Sequence, residues 1–110
     1  MEDLATFTDN NFAAEVIHSA QPVLVDFWAT WCPPCRALAP VVTQLAQEYA
    51  GRVKMGKLNV DDCARIATQF DVRSVPTLLL FKDGAVIGQI IGAAPKPKID
   101  ALVRKSLSPR

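Results

Sequence analysis

A chain of 110 residues, half of them hydrophobic and 21% charged, has room for one domain with a real core and too little for two. Its formal net charge of +1 offers no excess of positive charge for a nucleic-acid or membrane-surface partner. No apolar run approaches the length that spans a bilayer, and the first twenty residues carry Glu2, Asp3, Asp9 and Glu15 with no apolar stretch of the kind an export signal needs. These readings lead us to expect a single cytoplasmic domain over residues 1–110, monomeric, with neither nucleic acid nor membrane among its partners.

In chain order, residues 4–7 suit a short first strand. Thr8 or Asp9 offers a cap for a helix whose apolar face carries Phe12, Ala13, Val16, Ile17 and Ala20, and Gln21-Pro22 ends it. Residues 23–28 are apolar except for Asp26, the pattern of a central strand buried on both faces. Leu38, Val41, Val42, Leu45, Ala46 and Tyr49 then recur at helical period, with Pro40 inside the helix, where a kink is expected, and Ala50-Gly51 closing it.

Residues 53–60 suit a further strand that includes Lys57, and Asp61-Asp62 offers a cap for a short helix through Ile66, Ala67 and Phe70. Ser74-Val75-Pro76 is a bend. Residues 77–81 and 85–91 form strands joined across Lys82-Asp83-Gly84, a hairpin signal. From Pro95 or Pro97 a last helix carries Ile99, Leu102, Val103 and Leu107 on one face, and the last few residues should fray. Strands alternating with helices, closed by a hairpin, indicate an α/β fold with a mixed sheet covered on both faces.

The chain has three cysteines, Cys32, Cys35 and Cys63, too few for a disulfide-stapled fold. Cys32-Pro33-Pro34-Cys35 lies where the central strand gives way to the long helix. Cysteines three apart in a first helical turn can close a small disulfide ring with little backbone movement. When the ring opens, the Cys32 sulfur stands beside unpaired N–H groups and the positive end of the helix dipole. Both favour the thiolate, the nucleophile of disulfide exchange. Cys35, one turn further in, is expected to be the more buried and suits the resolving role. The same spacing could be half of a zinc site, but only Cys63 and His18 remain as further ligands and neither is spaced as a second pair; we expect no metal. Cys63 reads either as a small apolar core residue or as a thiol activated at the start of the third helix.

The set Asp26, Trp28, Trp31-Cys32-x-Pro34-Cys35, Pro40, Lys57, Val75-Pro76-Thr77, Gly84 and Gly92, in this order, resembles the thioredoxin family over nearly the whole chain, from about residue 6 to residue 107. The resemblance implies a thioredoxin fold, a central five-stranded mixed sheet flanked by four helices. It implies a protein-disulfide reductase that forms a mixed disulfide on Cys32 and resolves it with Cys35. It further implies no bound cofactor, disulfide-containing proteins as substrates, and recharging by a thioredoxin reductase, in this family usually an NADPH-dependent flavoenzyme.

By the same resemblance, Asp26 accepts the Cys35 proton through water and Lys57 tunes it. A buried carboxylate in a strand is in any case costly, so it should be shifted upward or find a partner. Pro76 is expected to follow a cis bond and face the nucleophile. Val75 would then offer its backbone to an extended substrate, with Trp31, Pro34, Ile91, Gly92 and Ala93 completing an apolar docking surface. Phe27 and Trp28 are expected in the core, Trp28 beneath the active-site loop.

Departures from the family pattern are Pro33 for the common Gly, Arg36 for Lys, Ser74-Val75 for Gly-Ile, and Pro95 and Pro97. Pro33, with Pro34, is expected to tune redox poise: it removes an N–H that could face the Cys32 thiolate and it stiffens the loop, and the sign of the sum stays open. Cys-Pro-Pro-Cys is also similar to exported thioredoxin-like reductases. The alternatives are therefore a more oxidising oxidase or isomerase and a non-catalytic binding module of the same fold.

Overall fold

The computed structural model describes residues 4–107; Glu2, Asp3 and the expected fraying at the C-terminus lie outside them. Five strands form one sheet, β1 (Ala5–Thr6), β2 (Val23–Trp28), β3 (Lys54–Asn59), β4 (Thr77–Lys82) and β5 (Ala85–Ile91). Their spatial order is β1-β3-β2-β4-β5, parallel among β1, β3 and β2 and antiparallel from β2 through β4 to β5. The helical segments are a π-helical turn (Ala13–Ile17), α1 (Pro33–Glu48), α2 (Ala64–Gln69) and α3 (Lys96–Lys105). This is the thioredoxin fold that the sequence led us to expect.

Strand alternation divides the core between the two faces of the sheet. Val23, Val25 and Phe27 of β2 join Phe7, Phe12, Val16, Leu58, Ile66, Leu79 and Phe81 under the π-helical turn and α2. Leu24 of the same strand joins Leu38, Val42, Leu45, Met55, Leu78, Leu80, Ile99 and Val103 under α1 and α3. The residues of β2 that share the Leu24 face are Asp26 and Trp28, so the one charged residue of the strand is directed towards α1.

Four local expectations are corrected. The first helix is a five-residue π-helical turn in which His18 N–H reaches back to Ala13 C=O. Only Phe12 and Val16 anchor it fully, and Ala13 and Ala20 are exposed. Its N-terminus is held by a reciprocal pair, Asn11 N–H to Thr8 Oγ1 and Thr8 N–H to Asn11 Oδ1. Asp9 caps a different helix: its Oδ1 accepts the Ile66 N–H in the first turn of α2 at 3.2 Å, a role expected of Asp61-Asp62. At the far end Ser106 is buried and Leu107 exposed, because α3 ends at Lys105 and the last turn no longer follows the helical face. The hairpin is as expected, with Asp83 and Gly84 both at positive φ (54° and 82°), the backbone of a two-residue turn matched to strand twist.

Candidate active site

The site is built where β2 ends and α1 begins. Cys32 is the N-cap residue of α1, Pro33 and Pro34 occupy the first two helical positions, and Cys35 is the third. Cys32 and Cys35 are joined as a disulfide with their Cα atoms 5.3 Å apart, within the ordinary range for such a bridge. An N-cap side chain normally accepts from the second or third helical N–H. Pro34 has none, so the Cys35 N–H is the donor that remains, and it points at Cys32 Sγ at 3.2 Å. Pro33 stands at the first helical position, so the N–H it lacks is not one that the cap sulfur would use. Cys35 was expected to be the more buried cysteine; in this oxidised form the two are almost equally buried, Cys32 3% and Cys35 2% exposed, both tucked against Ala29 with Trp28, Val60 and Val75 packed around them.

Asp26 lies beneath this turn. It is 1% exposed, and neither carboxylate oxygen accepts a hydrogen bond from the described residues. Loss of water is the dominant influence and pushes its carboxyl from 3.8 up to about 7, against the opposing pull of the Lys57 ammonium. Lys57 is the β3 residue in register with Asp26, and its Nζ stands 5.4 Å from the Trp28 ring centroid, a cation–π distance. A cavity of about 180 Å³ is bounded by Asp26, Trp28, Cys35, Arg36, Ala39 and Lys57. Of the catalytic residues expected from the sequence, Asp26, Lys57 and Cys35 therefore share one small chamber, roomy enough for water at ~30 Å³ per molecule, while Cys32 lies outside its walls.

Of the expected docking residues, Val75 packs against the disulfide. The Val75–Pro76 peptide bond is cis. Val75 precedes the β4 ladder, and its backbone N–H and C=O have no partner among the described residues. Trp31 and Val75 line a groove of about 120 Å³ with Val60, Val72, Arg73 and Ser74. Arg73 and Ser74 also border a larger hollow of about 300 Å³ that ends at Ile91. Gly92 N–H donates to Pro76 C=O at 2.8 Å, tying the end of β5 to this loop. Trp31 and Ile91 are 65% and 66% exposed, and Pro34 and Ala93 are also exposed. Pro76 itself is buried.

Two residues escaped the sequence reading. Asp61 Oδ2 accepts the Trp31 Nε1–H at 2.9 Å, and Asn59 Oδ1 in turn fixes the Asp61 N–H, so an exposed indole is held in one orientation. Arg36 Nη1 donates to the Thr30 carbonyl at 2.7 Å. Aspartates in a loop and an arginine in a first helical turn carry no local signal for such roles. Cys63 is buried at the start of α2, and burial pushes its thiol up, which favours its reading as a small apolar core residue. His18 is exposed, and no cluster of metal-ligating side chains occurs among the described residues. Nor is any helix among them long and apolar enough to cross a membrane.

Residues 3–105 match the profile of the family described as thioredoxin. The chain is 49% identical to Thioredoxin C-2 of Corynebacterium nephridii over 91% of this chain and 93% of that protein. It is 46% identical to Thioredoxin 1 of a Nostoc species over 97% of this chain and the whole of the relative, and 51% identical to a thioredoxin of Chlorobaculum thiosulfatiphilum over 84% and 85% respectively.

Proposed function

The chain belongs to the thioredoxin family and is a protein dithiol–disulfide oxidoreductase, and from that premise we propose that it is a general reductase of protein disulfides in which Cys32 attacks and Cys35 resolves. The observation that carries this assignment of roles is the Cys35 N–H aimed at Cys32 Sγ at the helix N-terminus. A donor and a dipole end so placed favour a thiolate on Cys32.

In the reduced protein the Cys32 thiolate attacks one sulfur of a substrate disulfide. A Cys32–substrate disulfide forms and the other substrate sulfur leaves as a thiolate. Cys35 then loses its proton to Asp26 through water in the shared cavity, and its sulfur attacks Cys32 Sγ. The bond to substrate breaks, the second substrate sulfur departs as a thiolate that takes up a proton, and two electrons have passed from the protein dithiol to the substrate. A carboxyl held near 7 is matched to that exchange at neutral pH, and Lys57 tunes it.

The substrate lies as an extended segment along the Val75 backbone, between Trp31 and Pro34 on one side and Pro76, Ile91, Gly92 and Ala93 on the other. A thioredoxin reductase, an NADPH-dependent flavoenzyme, restores the dithiol, so the protein acts as a cytoplasmic electron carrier in redox homeostasis. Pro33 and Pro34 set its redox poise. Reduction of insulin disulfides by wild type, Cys32→Ser and Cys35→Ser tests the assignment. We expect no turnover from Cys32→Ser and an accumulating mixed disulfide with Cys35→Ser; turnover by either variant sinks it. Titration against glutathione then distinguishes a reductase from a more oxidising oxidase or isomerase.

A further inference from the structure

The Asp26 cavity and an open groove of about 410 Å³ along the outer side of α1 share two wall residues, Arg36 and Ala39. Ala39 ends at its methyl group, so the Arg36 side chain is the movable part of the partition. Its head is tied down by the 2.7 Å bond from Nη1 to the Thr30 carbonyl, just ahead of Trp31 and Cys32. An arginine so held lays its aliphatic stem over an apolar wall while its guanidinium stays in water. We propose that Arg36 is a positioning residue that covers one side of the Asp26 cavity and limits its access to bulk solvent, latched on the Thr30 carbonyl. The proposal gains its functional meaning from Asp26 as proton acceptor for Cys35; the cover itself does not depend on that role.

The charged groups around Asp26 are Lys57 from β3 and Arg36 from α1; Cys35 of α1 is held in the disulfide, and β4 presents Leu78 in register with Asp26. Arg36 can act on Asp26 in two ways of opposite sign. Its positive charge stabilises the carboxylate, whereas its cover excludes the water that would do so. Removing the side chain therefore raises the titration midpoint of Asp26 if charge dominates and lowers it if cover dominates.

The test is a pH titration of the oxidised protein in which the carbon-13 signal of the Asp26 carboxyl, assigned with Asp26→Asn, is followed in wild type, Arg36→Ala and Arg36→Lys. We expect Arg36→Ala to lower the midpoint by about one pH unit as water enters the cavity. Arg36→Lys, which keeps a long stem and a donor for Thr30, should restore most of that loss. A midpoint that rises or stays put in Arg36→Ala overturns the proposal, as does Arg36→Lys behaving like Arg36→Ala. The role of Asp26 is read separately, from the decay of a trapped mixed disulfide in Asp26→Asn, so the two ideas can fail independently.

Discussion

Replacing Asp26 with Asn should stabilise the oxidised protein in a strongly pH-dependent way. The wild-type carboxyl sits near 3.8 in an open chain and at about 7 in the fold. Below the lower value both states hold the proton and the fold bears no cost. As pH rises the unfolded chain ionises first, so wild-type stability falls until the buried carboxyl also ionises near 7. The full difference corresponds to about 4 kcal/mol, about a quarter or more of the net stability of an ordinary domain at ~5–15 kcal/mol. Guanidinium unfolding of both proteins at pH 4 and pH 8 measures it: the advantage of Asp26→Asn over wild type should widen by about 4 kcal/mol between the two. Parallel stability profiles would show that Asp26 is open to bulk water or paired, and would refute the account of the cavity. A cost of that size at one residue is what a working group bears and a merely structural one need not.

Asp61→Ala should release the Trp31 indole at a stability cost of only about 1 kcal/mol. Its emission should shift and KM for a protein disulfide should rise several-fold with kcat held, while Asp61→Asn, which still accepts the bond, behaves as wild type; unchanged KM would sink the docking role of Trp31. Pro33→Gly should leave the Cys32 thiolate midpoint, read from ultraviolet absorbance of the reduced protein, within a few tenths of a pH unit, because Cys35 and not position 33 supplies the donor. It should lower stability by about 1 kcal/mol through the freer unfolded chain, a Tm loss of ~4–8 °C.

The strands and the long helix were legible because their signals are local. The apolar run at 23–28, the helical period after Cys35 and the Asp83-Gly84 turn each write their own structure into consecutive residues. What was misplaced depended on partners far along the chain. Asp9 looked like a cap for the helix beside it, yet it reaches Ile66 across the fold. Asp61 looked like the cap for α2 and instead holds Trp31. The apolar face drawn through Ala13 and Ala20 failed because two alanines bury too little area to decide a helix, and Phe12 and Val16 alone fix that turn. Cysteine burial followed the helix turn in the sequence argument; the packing of Ala29 and Val75 narrows that difference until Cys32 is almost as buried as Cys35.

The relation between Asp26 and Cys35 follows from strand parity more than from their separation along the chain. Residues 24, 26 and 28 of β2 face α1, whereas 23, 25 and 27 face the aromatic cluster around Phe12 and Phe81. The helix that carries Cys35 doubles back over the first of these faces, so Asp26 meets the resolving cysteine only if its parity is kept. Moving the carboxylate one position along β2 would turn it into the apolar side, away from both Cys35 and Lys57. Lys57 obeys the same constraint on β3, where it pairs in register with Asp26 and shares the face of Met55. The long helix thus supplies the dithiol and, with Arg36 and Ala39, one wall of the carboxylate's cavity, while the sheet supplies the charges beneath. The proposed proton transfer to Asp26 requires the meeting of these two layers, and the redox pair alone does not contain it.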